Sequence, residues 1–300
     1  MPEVDARSTH ATMSLVVTTV GRPEAFRQLL HSLRAGAFAD FGELVLIDQS
    51  ADQSCADVLR AEGAGLRWQV GTSGPGVSTG RNAGVRLATG DVIGFPDDNA
   101  HYTPKTLDDV WEWLTRNPEY DGLSGRQVTE SGGSSMLRWA RSDRDVSRAN
   151  FMHTTIASTM FFRRGALERA GEFDEGIGVG SKGWLGAGEE SDLLLRILSA
   201  GGRVRYRSSV LVVSHDPRED RGPDYARKML LYGAGTGHLW RRHRLSRFRL
   251  CYYVARKLVG VALWTGLHDR WSAKADLAYV RGLVAGWSGR PPPEYRVHAG

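Results

Sequence analysis

Three groups of acidic side chains follow short apolar or glycine-rich runs in this sequence, and each could do chemistry. The apolar run Val92-Ile93-Gly94-Phe95 ends in Pro96-Asp97-Asp98-Asn99. Adjacent carboxylates repel unless a cation or hydrogen-bond donors balance them. Hard oxygen ligands at a strand's carboxyl end suit Mg2+ or Mn2+ shared with a diphosphate, which supplies the remaining ligands. A solvated Asx-rich turn has the same composition, so the cluster alone does not decide. A second run, Leu46-Ile47, ends in Asp48-Gln49-Ser50. There Asp48 could accept hydrogen bonds from a nucleobase or ribose, or simply cap a turn or helix. The third group, Gly188-Glu189-Glu190 with Asp192, opens a helix-period segment, and a carboxylate placed there could take a proton from an attacking hydroxyl. Successive helical residues turn by ~100°, so Glu190 and Asp192 point about 200° apart and only one can face a given acceptor oxygen.

Glycines form a fourth feature. Gly71 to Gly80 precedes Arg81-Asn82-Ala83-Gly84, which reads as the opening of a helix. Free backbone N–H groups and the helix dipole favour an anion at such an entry. The P-loop and dinucleotide fingerprints are both missed, because no Gly-Lys-Ser/Thr follows and the glycine after Gly74-Pro-Gly76 comes one place late. Gly171 to Gly188, around Trp184, reads as a mobile lid ahead of the acidic helix.

These residues need a scaffold that delivers strand ends to one place. Between residues 14 and 128, β-branched runs alternate with helix-period segments, the pattern of a parallel sheet covered by helices on both faces. The strands are expected at Ser14 to Thr19, Leu44 to Asp48, Leu66 to Val70, Val92 to Phe95 and Gly122 to Val128. Three more are expected at Ser158 to Arg163, Arg203 to Arg207 and Val210 to Val213. Pro23 suits a first helical turn, and Phe26, Leu29, Leu30 and Leu33 continue at helical spacing. Thr103-Pro104 offers a comparable start for a helix through Trp113. Residues 129 to 150 read as an excursion from the core. In open α/β sheets, ligands bind outside the carboxyl ends of the strands, where the acidic clusters stand.

In combination and order, Thr18-Thr19-Val20-Gly21-Arg22-Pro23, Asp48-Gln49-Ser50, Gly80-Arg81-Asn82-Ala83-Gly84, Gly94-Phe95-Pro96-Asp97-Asp98-Asn99 and Gly188-Glu189-Glu190 resemble family 2 of the glycosyltransferases. The likeness covers residues 13 to 240. It implies a GT-A fold, Rossmann-like with a mostly parallel sheet and helices on both faces, and an inverting transfer from a nucleoside-diphosphate sugar to an acceptor hydroxyl. By resemblance, Thr19 and Asp48 contact the base and ribose, Arg81 and Asn82 the nucleotide, and Asp97 the ribose side. Asp98 then holds Mn2+ or Mg2+, with His215 as a further ligand. Glu190 is the base and Glu189 binds an acceptor hydroxyl. Trp184, like Trp139, lies in an irregular segment and could stack on a sugar, Trp184 being taken as the acceptor platform. Asn99 stands where many relatives have a third aspartate, and Glu189-Glu190 where many have Glu-Asp. A sugar-1-phosphate nucleotidyltransferase and a non-catalytic nucleotide-sugar binder are the alternatives. The former lacks its basic glycine-rich loop after the first strand, and retention of Asp98, Glu189 and Glu190 argues against the latter.

Composition sets the frame. The 300 residues, 41% of them hydrophobic, suffice for one large α/β core with an appendage. Residues 1 to 12 read as a loose leader without secretory order. Residues 13 to 220 form the catalytic domain, with a nucleotide-sugar half at 13 to 128 and an acceptor half at 150 to 220. Residues 221 to 300 form a basic helical extension. Cys55 and Cys251 fit neither a disulfide framework nor a metal site. Residues 221 to 290 hold 14 Lys or Arg against 3 Asp, a local charge of +11 in a chain of net +5. That asymmetry asks for an anionic partner, which by charge alone is nucleic acid or anionic lipid. One reading is an anionic membrane surface beside a lipid-linked acceptor, and the other is a helical cap packed on the sheet or a dimer contact. The chain is accordingly expected in the cytoplasm or peripherally on the inner face of the cell membrane.

Overall fold

The computed structural model describes residues 12–135, 137–214 and 224–295, together with the backbone of Glu3 and Val4. The chain divides into two compact units. One comprises residues 1–75, 79–173 and 193–216, and the other residues 76–78, 174–192 and 217–300.

The first unit is built on a ten-stranded sheet. Its strands are β1 (Glu3–Val4), β2 (Met13–Thr19), β3 (Gly42–Asp48), β4 (Arg67–Gly71), β5 (Val92–Gly94), β6 (Ala100–Tyr102), β7 (Gly122–Val128), β8 (Arg144–Asp145), β9 (Met160–Arg163) and β10 (Val204–Ser214). They are ordered β1-β4-β3-β2-β5-β9-β7-β10-β6, with β8 paired to β10. The run β4-β3-β2-β5 is parallel, as the alternation of runs predicts. Beyond it the sheet is mixed, because β9 inserts antiparallel between β5 and β7. The leader contributes β1, whose Glu3 and Val4 pair with Val70 and Gln69.

Alternation along the strands distributes the helices. Met13, Leu15 and Val17 of β2, with Leu44 and Leu46 of β3, belong to one core. Phe26, Leu29, Leu30 and Leu33 of α1 (Pro23–Arg34) join that core, as do the buried apolar residues of α3 (Ser54–Glu62) and α5 (Thr106–Arg116), while α2 (Phe38–Phe41) adds Phe38. Trp111 and Trp113 of α5 pack at its margin. The opposite face of β2 carries Val16 and Thr18, against which α4 (Val77–Leu87) lies. Gly80 and Gly84 allow this approach. A Cβ on Gly80 would stand 2.5 Å from Thr18 Cγ2, and one on Gly84 would overlap Val16 Cγ1. These glycines therefore serve close helix–strand packing. Because α4 begins at Val77, Gly80 lies a turn inside the helix, and the expected anion-binding entry at Gly80 to Gly84 is not where the helix starts.

Two further boundaries differ from expectation. The polar Ser208-Ser209 pair reads as a break between strands, yet β10 runs through it as one strand with a register shift between Tyr206 and Leu211. The Asp143 carboxylate accepts hydrogen bonds from the Ser208 N–H and Oγ, both at 2.8 Å, so the irregular backbone is satisfied without a turn. Pro104 precedes α5 in a turn instead of starting it.

The second unit is helical: α8 (Tyr225–Arg242), α9 (Arg247–Gly266) and α10 (Arg270–Ser288). Its α8 and α10 meet through glycines of both helices. A Cβ on Gly233 or Gly237 of α8 would overlap the Tyr279 or Leu283 carbonyl oxygen, and one on Gly282 or Gly286 of α10 would overlap that of Leu230 or Ala234. The glycine-rich segment up to Gly188 belongs to this unit because α8 holds it. The Gly186 N–H donates to the Leu231 carbonyl at 3.2 Å, and Gly235 leaves room for the Ala187 carbonyl. The remaining helices are α6 (Arg164–Ala170), in the first unit, and α7 (Glu189–Ser199), whose first four residues fall in the second unit and the rest in the first.

Filling one of these close approaches should cost more than filling open space. Gly84→Ala is expected to lower unfolding stability by about 1–3 kcal/mol, since the neighbours are strand side chains that must shift. Gly266→Ala, at a helical glycine with nothing within 4 Å of an added Cβ, should be neutral or stabilising by up to about 1 kcal/mol. Urea denaturation followed by circular dichroism gives both values, and equal effects would refute the packing role assigned to Gly84.

Candidate active site

At the end of β5 the chain turns, with the Ala100 N–H donating to the Asp97 carbonyl at 3.0 Å, and the turn presents the two aspartates differently. Asp98 has no exposed surface. Its Oδ2 accepts a 2.6 Å hydrogen bond from Thr19 Oγ1 and a 3.0 Å bond from Arg22 Nε. Oδ1 lacks a hydrogen bond of good geometry, but Arg22 Nη2 lies against it as an ion pair, and this pairing balances the buried charge. Because β2 and β5 are parallel neighbours, Thr19 and Arg22 leave β2 beside Asp98. Asp97 turns outward with its side chain 38% exposed, 3.6 Å from Arg81 Nη2. Arg81 is itself buried, 5.6 Å from the centre of the Phe173 ring, which packs edge-on against Phe95.

Other residues expected to touch the nucleotide hold the protein to itself in this structure. Asp48 is fully buried and accepts from Ser50 N and Oγ at 2.9 and 2.6 Å and from the Cys55 and Ala56 N–H groups at 3.1 and 3.0 Å. This is the capping role: the carboxylate closes the turn after β3 and satisfies the first N–H groups of α3. Asn82 exchanges hydrogen bonds with the Phe173 backbone, donating to its carbonyl at 3.0 Å and accepting from its N–H at 2.8 Å. Thr19, besides holding Asp98, accepts from the Gly21 N–H at 3.2 Å. Burial raises the pKa of the neighbouring Cys55 thiol, keeping it in the unreactive protonated form. Trp139 is also structural, stacking parallel on Tyr206 with its indole N–H donating to the Ser135 carbonyl at 2.8 Å. His215 lies outside the described residues.

In the second unit, the three acids at the start of α7 have different surroundings. Glu189 is 6% exposed and lies against Gly178, whose φ of +111° and lack of Cβ leave it room. Asp192 is fully buried, with His243 Nε2 at 2.8 Å and Arg242 Nε at 3.2 Å, and Arg242 also pairs with Asp174. Against the cost of burial, the hydrogen bonds from Arg242 and from the Gly176 N–H hold the Asp174 carboxyl below the usual carboxylate range. Glu190 is the half-exposed acid of the three, and Trp184 in the preceding segment is half-exposed as well. That segment is tied internally: Val77 N–H donates to the Val179 carbonyl at 2.9 Å, Ser78 Oγ to that of Ile177 at 2.7 Å, and Gly178 N–H to that of Leu185 at 2.8 Å.

Among the described residues no three His, Cys, Asp or Glu side chains cluster as a protein-only metal site. The carboxylate oxygens at the end of β5 are nonetheless the hard donors that Mg2+ or Mn2+ prefers, provided that a bound diphosphate completes the shell. Sequence reasoning passed over two residues of this arrangement, Arg22 and Phe173. A basic residue just past β2 was a usable signal for Arg22 once β2 is known to neighbour β5. Phe173 had none, since its part depends on a contact 91 residues away in sequence.

The model of the family described as glycosyl transferase family 2 matches residues 14–171, more than half of the chain. The chain belongs to glycosyl transferase family 2. No curated protein matches it. Among solved structures, the mannosyltransferase PcManGT from Pyrobaculum calidifontis, determined with GDP-Man and Mn2+, superposes with a TM-score of 0.63 at 16% identity, over 95% of this chain and 89% of that one. S. aureus TarS superposes with a TM-score of 0.59 at 17% identity over 91% of this chain, which spans only 55% of the TarS chain. Its 1-349 portion in complex with UDP-GlcNAc gives 0.57 at 15% identity over 93% of each chain. At these identities the likeness establishes the GT-A fold, and the family match makes the chain a glycosyltransferase.

If the Thr19–Asp98–Arg22 tie fixes the strand ends, Asp98→Asn should destabilise the protein with no nucleotide or metal present. The half-exposed Arg22 side chain screens the pair, so the expected loss is about 1–3 kcal/mol in urea unfolding. An unchanged midpoint would show that Asp98 is not held for stability.

Proposed function

We propose that this family 2 glycosyltransferase moves a sugar from a nucleoside-diphosphate sugar to an acceptor hydroxyl with inversion, with Glu190 as the base. The observation that carries the assignment is the contrast at the start of α7. Glu189 and Asp192 are buried, Asp192 held by Arg242 and His243, whereas Glu190 is half-exposed. A base must reach the proton it removes, and of these carboxylates only Glu190 has that access. As the acceptor oxygen bonds to the anomeric carbon, its proton passes to the Glu190 carboxylate. The bond from that carbon to the diphosphate oxygen breaks, and the leaving nucleoside diphosphate takes the electron pair. No covalent enzyme intermediate is needed.

Asp97, outward-facing at the end of β5, and Asp98 Oδ1 are the oxygens that would hold Mn2+ or Mg2+. When bound, the cation would offset the negative charge that builds on the departing diphosphate. PcManGT, solved with GDP-Man and Mn2+, and TarS, solved with UDP-GlcNAc, are similar proteins that support such a donor. Arg81 and Asp97 are the proposed direct contacts to the nucleotide. Thr19, Asp48 and Asn82 shape its site from beneath, Glu189 and Trp184 line the acceptor side, and His215 is a further metal ligand. A lipid-linked acceptor agrees with the basic second unit. A sugar-1-phosphate nucleotidyltransferase finds no support in the family match.

Incubation with a panel of sugar nucleotides should release nucleoside diphosphate, and chelation by EDTA should abolish the release until Mn2+ or Mg2+ is restored. Pyrophosphate as the product would instead mark a nucleotidyltransferase. Glu190→Gln keeps shape and removes the basic carboxylate, so donor and metal binding by calorimetry should stay near normal while single-turnover transfer falls by about 10²-fold or more. Parent-rate transfer by this variant, with Glu189→Gln or Asp192→Asn inactive, would move the base to another residue.

A further inference from the structure

In the second unit, α9 is 20 residues long, and Leu250 is its one buried side chain. Phe248, Tyr252, Val259 and Leu263, with Leu267 just past its end, are between 57% and 90% exposed. At ~100° per residue they fall within an arc of about 100°, so they form one continuous apolar stripe. Solvent-facing stripes of this kind mark contact surfaces, because water gains when they are covered.

The charges beside the stripe say what covers it. At ~100° per residue, Arg249 and Arg256 fall at the Leu267 edge of the arc, Arg247 stands beyond the Phe248 edge, and α9 contains no acidic residue. At the next corner Arg270 and Lys274 flank the exposed Trp271 ring, at 5.3 and 5.4 Å from it. Residues 221 to 290 as a whole carry +11. A second copy of this chain laid face to face on α9 would bring arginines against arginines with no carboxylate of α9 to meet them, which is unfavourable. An anionic lipid surface answers both features, taking the apolar stripe at its acyl boundary and the arginines among its headgroups. Among the described residues no helix is long and apolar enough to cross a membrane. At about 30 Å, α9 instead has the length to lie along the surface.

We propose that α9 is an in-plane membrane-docking helix that seats its Phe248–Leu267 stripe in anionic lipid with Arg247, Arg249 and Arg256 at the headgroups. The proposal agrees with a lipid-linked acceptor and does not depend on the catalytic assignment. The test is co-sedimentation of the full chain with vesicles of phosphatidylcholine alone or mixed with phosphatidylglycerol, at low and high salt. Binding is expected to the mixed vesicles at low salt, with strong loss at high salt and little binding to phosphatidylcholine alone. Val259→Ser combined with Leu263→Ser, both exposed and so tolerable to the fold, should weaken binding by about tenfold or more. Circular dichroism and the thermal midpoint should stay unchanged. Arg249→Gln with Arg256→Gln should weaken it and flatten its salt dependence. No binding at low salt overturns the proposal, and so does binding that the stripe variants leave intact. A dimer in gel filtration that the stripe variants dissociate, without vesicle binding, would assign the face to a second copy. Sugar-nucleotide turnover is read in parallel. Its absence alongside normal vesicle binding would fault the enzymatic reading and leave the docking helix standing.

Discussion

A carboxylate with no exposed surface has to be met by donors wherever the chain puts it, and at the end of β5 that requirement organises the first unit. Asp98 is met by the Thr19 hydroxyl and the Arg22 guanidinium, both from the segment leaving β2. The pairing requires β2 and β5 to be neighbours and parallel, so that their carboxyl ends coincide. Arg22 stands at the capping position of α1 without a side-chain cap, because a guanidinium only donates, and its donors go to Asp98 instead. With Asp98 fixed inward, the adjacent Asp97 is directed outward toward Arg81, and one dipeptide supplies both a buried and an exposed carboxylate.

The second unit uses a different physical device for the same end. Backbone-to-backbone contact through Gly233, Gly237, Gly282 and Gly286 sets α8 against α10, and Gly235 admits the Ala187 carbonyl. The last turn of α8 then reaches Asp192 through Arg242 and His243. A half-exposed Glu190 between two immobilised acids results from this arrangement.

Local features of the fold were legible because they are local. The apolar periods of β2, β3 and α1, the carboxylates after β5 and the acidic opening of α7 can all be read from spacing. Pairing partners were not. Asp48 reads equally well as a ribose ligand or a cap, and only the folded positions of Cys55 and Ala56 show the cap. Gly80 and Gly84 look like a phosphate-binding entry until α4 is seen to begin at Val77 and to rest on Val16 and Thr18. Ser208 looks like a break because its carboxylate partner, Asp143, is 65 residues away. Each difference arises from a contact that only the folded chain brings together.

The reciprocal hydrogen bonds between Asn82 and Phe173 have a consequence for how the protein is made. They close a loop of 91 residues, and the bond from Thr19 to Asp98 closes one of 79. Contacts this far apart are entropically late, because the intervening chain must be ordered before they yield anything. During synthesis, β2 and the start of α1 emerge with Thr19 and Arg22 but without their carboxylate. Phe173 is translated only after most of the sheet's strands, and β10, which pairs with β7, later still. The contacts at the end of β5 and around Phe173 therefore stay incomplete on the ribosome until most of the first unit has been made, and a chain that ends between Asp98 and Phe173 carries the Pro96-Asp97-Asp98-Asn99 turn without the Asn82–Phe173 tie.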